Sequence, residues 1–250
     1  MIKAIIFDWN GTLTSDLFEL RFFQGFLKWL LKKHSLNFFL WMRVLRLNAI
    51  AKLMAGKRLA DGKNARHRLR NLLEYFNSAV KNYVHEEDLV DYTNEYAKNR
   101  SSLCIDEKLL KLINQLHFKY KTMIGIISSG YFLNIKMSMA AHGVHVDFIK
   151  ANDFCRLPSG KLYYDWAILD NKDAVLRGVL SEKGLKMDDV AYIGDDLNDL
   201  GCFKIIGYPV MSPAADPIVK EQLSQKCNLF CPHDDDELCR YLEQHINRDG

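Results

Sequence analysis

A chain of 250 residues with 48% apolar and 26% charged side chains has the composition of a packed globular protein, which excludes disorder for most of its length. A net charge of +3 is too small to argue for nucleic acid, and no nucleic-acid partner is expected. The distribution of charge says more. From Leu20 to Arg58 there are nine Lys or Arg and no Asp or Glu, while Asp234, Asp235, Asp236 and Glu237 form an acidic cluster near the end.

Taken in chain order, Lys3 to Phe7 reads as a short, fully buried strand of the kind found inside a parallel sheet, and it runs into "FDWNGTLT". Residues 16–100 are helical in pattern. In "RFFQGFLKWLLKK" one polar stripe holds Arg21, Gln24, Lys28 and Lys32, and Phe22, Phe23, Phe26, Leu27 and Leu30 lie opposite. The period then changes: "TMIGIISSG", "HVDFIKAN", "DVAYIGDD" and "IIGYPVMS" are apolar runs ending in polar residues, with helical segments such as "KDAVLRGVLSEKG" between them. This alternation predicts an α/β fold, a Rossmann-like doubly wound parallel sheet in three layers. The expected organisation is a core of residues 1–15 and 101–250 with an inserted helical cap at 16–100.

Six cysteines (Cys104, Cys155, Cys202, Cys227, Cys231, Cys239) are scattered through a chain too long to need stapling. No signal-peptide pattern precedes "KAIIFD", so reduced thiols and a cytoplasmic location are expected. Cys227, Cys231, His233 and Cys239 lie near one another, but their spacing matches no common zinc pattern, and ordinary thiols are the preferred reading.

Ligands of open α/β sheets bind beyond the carboxyl ends of the strands. Those ends here carry Asp8 and Asn10, Ser128, and Asp195, Asp196 and Asp199 of "GDDLND"; Lys172 opens the preceding helix. Each alone has an ordinary explanation: Asp8 as a helix cap, Ser128 as a buried strand-end hydroxyl, Lys172 as a solvated lysine. Clustered acids after a buried strand repel one another unless a cation compensates. Carboxylates, a hydroxyl and a lysine together suit a hard cation and a phosphate.

In that order the motifs resemble the haloacid dehalogenase superfamily, most closely its phosphoserine-phosphatase-like branch with a helical cap between the first two motifs. "FDWNGTLT" is similar to the first motif, D-x-D-G-T, "IISSG" to the second, Lys172 to the third and "IGDDLND" to the fourth. The resemblance implies phosphomonoester hydrolysis in two steps through an aspartyl-phosphate on Asp8. It implies Mg²⁺ held by Asp8, the main-chain carbonyl of Asn10 and Asp195, with Asp199 completing or orienting that set and Asp196 adding charge. Ser128, Ser129 and Gly130 would bind phosphoryl oxygens, Lys172 would neutralise charge, and Thr12 would support the loop.

Asn10 departs from the family pattern, where a carboxylic acid protonates the leaving oxygen and later activates water. An amide cannot titrate, and positioned acid–base catalysis contributes about 10²–10⁴-fold. Three readings stay open: a phosphatase whose substrate needs little acid help, an Asp→Asn trap, and a phosphate-binding module. A phenolic leaving group, with a pKa near 10, departs more readily than an alkoxide, which tilts the expectation towards aryl phosphates such as phosphotyrosine. The substrate would be a phosphorylated small molecule or a phosphoprotein. The basic stretch with Trp29 and Trp41 has no charge-free run near the ~20 residues of a spanning helix. It packs within the cap or lies peripherally on an anionic membrane, which keeps a phospholipid head group open as substrate, beside a sugar or amino-acid phosphate.

Overall fold

The computed structural model describes residues 1–15, 18–34, 37–55, 62–99 and 105–246. Cys104, Lys57 and Arg58, and the expected boundaries at 16 and 100, lie outside them. Along the chain come β1 (Ala4–Phe7), α1 (Phe18–Lys33), α2 (Phe38–Ala55), α3 (Gly62–Val80), α4 (Glu86–Asn99) and α5 (Glu107–Tyr120). They are followed by β2 (Met123–Tyr131), α6 (Phe132–Ala141), β3 (Phe148–Arg156), β4 (Leu162–Asp165) and α7 (Ile168–Glu182). The last are β5 (Val190–Gly194), α8 (Leu200–Phe203), β6 (Tyr208–Met211), α9 (Pro217–Ser224) and α10 (Asp235–His245).

The sheet order is β4-β3-β2-β1-β5-β6. β1 is paired in parallel with β2 on one side and β5 on the other, and β2–β3 and β5–β6 are parallel too. Successive crossovers thus run outward from β1 in both directions, and the strand order reverses between β1 and its neighbours. That reversal is where a doubly wound sheet opens a crevice at its carboxyl edge. All four residues of β1 and all five of β5 are buried, as central strands covered on both faces require. Their side chains meet Leu176 and Leu180 of α7, Cys202 and Phe203 of α8 and Leu223 of α9 in one apolar cluster.

The chain divides into two compact units: Met1–Glu19, Glu95–Asp153 and Trp166–Gly250 in one, Leu20–Asn94 and Phe154–Asp165 in the other. The first holds most of the sheet. The second is mainly helical, and its strip Phe154–Asp165 comes from a stretch that the linear reading keeps with the core. The reason is local packing. Tyr164 sits with its ring 5.2 Å from that of Phe23, and its main-chain N–H and C=O both bond the Asn77 side chain, at 2.8 and 3.0 Å. The apolar stripe of α1 is buried as its period predicts, with Phe22, Phe26 and Leu30 inaccessible, and Tyr92 of α4 packs against Phe22 and Phe26. Lys33 pairs with the buried Asp88, which also accepts from the His85 N–H at 3.0 Å.

The acidic cluster is a helix start. Asp234 caps α10 by accepting from the Glu237 N–H at 2.8 Å, and the acids that follow occupy its first turn, where the helix dipole favours them. The described cysteines are free thiols. Cys227 donates to the Leu223 carbonyl, and the Cys227–Cys239 set forms no metal-competent group among the described residues.

Candidate active site

β1 delivers Asp8 to the carboxyl edge of the sheet, where its N–H donates to Ile193 O on β5 at 2.8 Å. Asp8 Oδ1 accepts from the Trp9 N–H at 2.7 Å. The chain then turns sharply. Gly11 takes φ +76°, a conformation that costs glycine little, and its N–H donates to Thr14 O at 2.8 Å. From the residue just after β6, the Ser212 hydroxyl donates to Gly11 O at 3.2 Å and holds the turn down.

Lys172 enters from α7, where Asn171 immediately before it leaves helical geometry with φ −127° and ψ 30°. The buried ammonium donates to Asp8 Oδ2 at 2.8 Å and to Asp199 Oδ1 at 2.7 Å. Asp199 is engaged on both oxygens: Oδ1 also accepts from the Tyr192 hydroxyl at 2.8 Å, and Oδ2 accepts from the N–H groups of Asp195 and Asp196 at 3.1 and 3.2 Å. Gly194 makes room for this, since a Cβ there would lie 2.5 Å from Asp199 Cγ. Asp196 is turned to the start of the following helical turn, where it caps the Leu197 N–H. Asp195 is left facing the cluster, with Oδ1 accepting from the Thr12 hydroxyl at 3.2 Å.

One carboxylate oxygen each from Asp8, Asp195 and Asp199 lies within 4.8 Å of the others. Three acids against one lysine leave uncompensated negative charge away from water. Burial pushes the Asp8 carboxyl up to about 6, against the pull of Lys172 and with Asp199 adding to the rise. Asp195 is driven well above the usual carboxylate range by burial and then by the charges of Asp8 and Asp199. Burial opposes the charge on Lys172, but Asp199 and Asp8 outweigh it and keep the ammonium protonated. Such a donor set fits a hard divalent cation. Asp8 and Asp195 have oxygen lone pairs to offer, whereas Asp199 is saturated by protein donors and is placed to orient the loop.

At the end of β2, the fully buried Ser128 accepts on Oγ from the Gly130 N–H at 3.1 Å. Asn152 donates to Ser129 O at 2.6 Å and accepts from the Ile168 N–H at 3.0 Å, tying this strand end to β3 and to the start of α7. A Cβ on Gly130 would lie 3.2 Å from both Asn10 Nδ2 and Glu19 Oε2, so these two side chains converge over Gly130. Asn10 Oδ1 and Glu19 Oε2 are shut from solvent without a hydrogen-bond partner among the described residues. Glu19 Oε1 accepts from the Tyr131 N–H at 2.9 Å, and burial still pushes its carboxyl up to about 7.

Thus the residues expected at the site fall into two adjoining groups on one sheet edge. Asp8, Thr12, Lys172, Asp195 and Asp199 are linked by direct hydrogen bonds; Asn10, Ser128, Ser129 and Gly130 surround the end of β2. Tyr192, Ser212, Asn152 and Glu19 go unnoticed in a reading of motifs. Tyr192 had one usable signal, a polar-tipped ring inside a buried strand two residues before "GDD".

A doubly wound parallel sheet with acids and a lysine gathered at its switch point defines the class: an α/β protein with a carboxylate–lysine site at the carboxyl edge of its central strands. The chain belongs to the haloacid dehalogenase-like hydrolases, whose family model matches residues 5–204. A phosphoserine phosphatase of Streptococcus thermophilus is 30% identical over 116 residues, spanning 45% of this chain and 52% of that protein, so the match covers about half of the relative's length. Among solved structures, a substrate-bound phosphoserine phosphatase complex is similar over 99% of both chains, with TM-score 0.58 and 20% identity. A phospho-aspartyl intermediate analogue of phosphoserine phosphatase is similar over 98% of this chain and 99% of that one, with TM-score 0.56 and 18% identity. The fold is therefore phosphoserine-phosphatase-like. Among the described residues no helix is long and apolar enough to cross a membrane.

Proposed function

We propose that the chain is a Mg²⁺-dependent phosphomonoester hydrolase working through an aspartyl-phosphate on Asp8, with aryl phosphates favoured. The observation that carries this reading is the buried Lys172 ammonium held between Asp8 and Asp199 with Asp195 beside them. An Asp8 oxygen attacks phosphorus, the bond from phosphorus to the substrate oxygen breaks, and that oxygen leaves as an alkoxide or phenolate. Water then cleaves the acyl phosphate, releasing inorganic phosphate and returning Asp8. Lys172 and the main chain after Ser128 bind phosphoryl oxygens. Asp8, Asp195 and the main-chain carbonyl of Asn10 would hold Mg²⁺, which neutralises charge when bound. Asn10 can donate a hydrogen bond to the leaving oxygen but no proton, which favours a phenolic leaving group such as that of phosphotyrosine in a peptide or protein.

Steady-state rates on phosphotyrosine and phosphoserine peptides test the reading. Asp8→Asn should abolish turnover of both. Asn10→Asp should accelerate the phosphoserine peptide, by up to ~10²-fold, and the phosphotyrosine peptide less. Full activity in Asp8→Asn would overturn the covalent step, and equal acceleration of both peptides would overturn the aryl preference.

A second reading, a phosphatase for phosphorylated lipid at the cytoplasmic membrane surface, is supported by α2 alone. Phe38, Phe39, Trp41, Met42 and Leu45 are exposed there beside the exposed Arg46. Co-sedimentation with anionic but not neutral vesicles, weakened in Phe39→Ser with Trp41→Ser, is its expected signature; equal recovery with both vesicle types would count against it.

A further inference from the structure

A second cluster lies in the sheet-bearing unit, at the opposite edge of the sheet from Asp8. His117 is in the last turn of α5, and His145 and Asp147 are on the loop that leads from α6 into β3. The Nδ1 of His117 is 3.7 Å from Asp147 Oδ2, the Nε2 of His145 is 3.7 Å from Asp147 Oδ1, and the ring centroids are 4.2 Å apart. One donor atom from each residue lies within 4.8 Å of the others.

Those spacings are too long for hydrogen bonds. Each ends on a different Asp147 oxygen, and each is near the edge of a tetrahedral shell, about 3.4 Å when metal–ligand bonds are about 2.0–2.2 Å. His117 Nδ1 is closed off from solvent and has no hydrogen-bond partner among the described residues, while His145 and Asp147 are exposed, so the cluster opens to solvent on one side.

The frame around the cluster is also built. Asp147 exchanges two hydrogen bonds with Ile124 at the start of β2: its N–H donates to Ile124 O at 2.8 Å, and its Oδ2 accepts from the Ile124 N–H at 2.7 Å. Asn114, on the same helix as His117, accepts from the His145 N–H at 3.2 Å and donates to Gly143 O at 3.1 Å. Each of the three side chains therefore stands on backbone fixed by other groups, and second contacts of this kind hold ligands in place at metal sites.

We propose that His117, His145 and Asp147 form a zinc site separate from the carboxylate cluster. Two imidazoles and one carboxylate favour a borderline transition ion over Mg²⁺, which prefers oxygen donors. Three protein ligands leave the fourth position to water. With its ligands at the amino-terminal edge of the sheet, the ion joins the end of α5 to the entrance of β3 and acts on stability, away from phosphate chemistry.

Equilibrium dialysis of the full chain against Zn²⁺, with Mg²⁺ in large excess to occupy the carboxylates, tests this. One zinc per chain should be retained, and Co²⁺ in its place should show the visible absorption of a tetrahedral nitrogen–oxygen site. His117→Gln and His145→Gln should each lose the retained zinc and the rise in melting temperature that it brings, while Mg²⁺-dependent hydrolysis is unchanged. Asp147→Asn is a third, independent variant with the same expected loss. No retained zinc in the parent chain, or retention unchanged in the histidine variants because thiols or the Asp8 cluster hold it, would overturn the proposal.

Discussion

Glu19 sits where a charge is least welcome. Its Oε2 is closed off beside Asn10 and Gly130 without a hydrogen-bond partner among the described residues, and the Tyr131 N–H on Oε1 favours its ionised form. The native state consequently holds a proton on Glu19 up to about pH 7, against an ordinary value of 4.5. Between those two values the native state binds more protons than the unfolded chain, so stability falls as pH rises through the window and levels off above it. Glu19→Gln keeps an acceptor for the Tyr131 N–H and removes the titration. Urea unfolding should then show the variant more stable than the parent by about 1–2 kcal/mol at pH 8, a figure reduced because the side chain is partly exposed, and little different at pH 4.5. Curves that stay parallel across this range would show that Glu19 titrates normally. None of this was legible from the motif. "DWNGT", "SSG" and "GDDLND" announce themselves because acids and small residues follow apolar strands, and Lys172 follows from its place before the last of them. Glu19 looks like a first-turn acid of an amphipathic helix, and only the fold brings it against Gly130, more than a hundred positions away in sequence.

At the scale of elements, the strands that read clearly are those buried on both faces. β1 and β5 are unbroken apolar runs buried along their whole length, and central parallel pairing demands that pattern. β4 escaped because its four residues, "LYYD", are too few to show a period, although Pro158-Ser159-Gly160 just before them is a turn signal. α6 escaped for a different reason: it buries Asn134 and Ser138 along with Ile135 and Met139, which blurs the apolar stripe. Besides its pairing with β3, β4 is held by one polar side chain. Asn77 satisfies both the N–H and the C=O of Tyr164 in a buried setting, as a ladder partner would. Asn77→Ala strands both backbone groups, each at about 1–3 kcal/mol, and should lower stability by about 2–4 kcal/mol in chemical denaturation. Asn77→Asp keeps the acceptor and loses the donor, so it should cost less than alanine unless its charge is buried unpaired. A loss below about 0.5 kcal/mol in the alanine variant would mean that water replaces the amide.

For the molecule as a whole, the two-way winding of the sheet from β1 has an electrostatic consequence. It sets Asp8, at the end of β1, beside Asp195, just beyond β5, and Lys172 offsets only part of the charge carried by these two and Asp199. Folding therefore concentrates like charges that the unfolded chain keeps apart, and Asp195 bears the cost through burial first and then through its neighbours. A divalent cation reverses the balance, because it binds the assembled carboxylates and not the unfolded chain. In linkage terms the gain grows with cation concentration, reaching about 2.7 kcal/mol at a hundred times the dissociation constant. Asp195→Asn separates the two effects. With the divalent ions chelated, the variant should be more stable than the parent, since one repelling charge is gone and the amide can still accept from the Thr12 hydroxyl. With saturating Mg²⁺ the order should invert: the parent gains its linkage stabilisation, and the variant, short of a carboxylate ligand, gains much less. Urea unfolding at neutral pH with chelator and with Mg²⁺ reads both halves. Equal Mg²⁺ stabilisation of the two proteins would remove Asp195 from the metal site, and a variant less stable than the parent in chelator would mean that the Asp195 carboxylate stabilises the fold even without a cation.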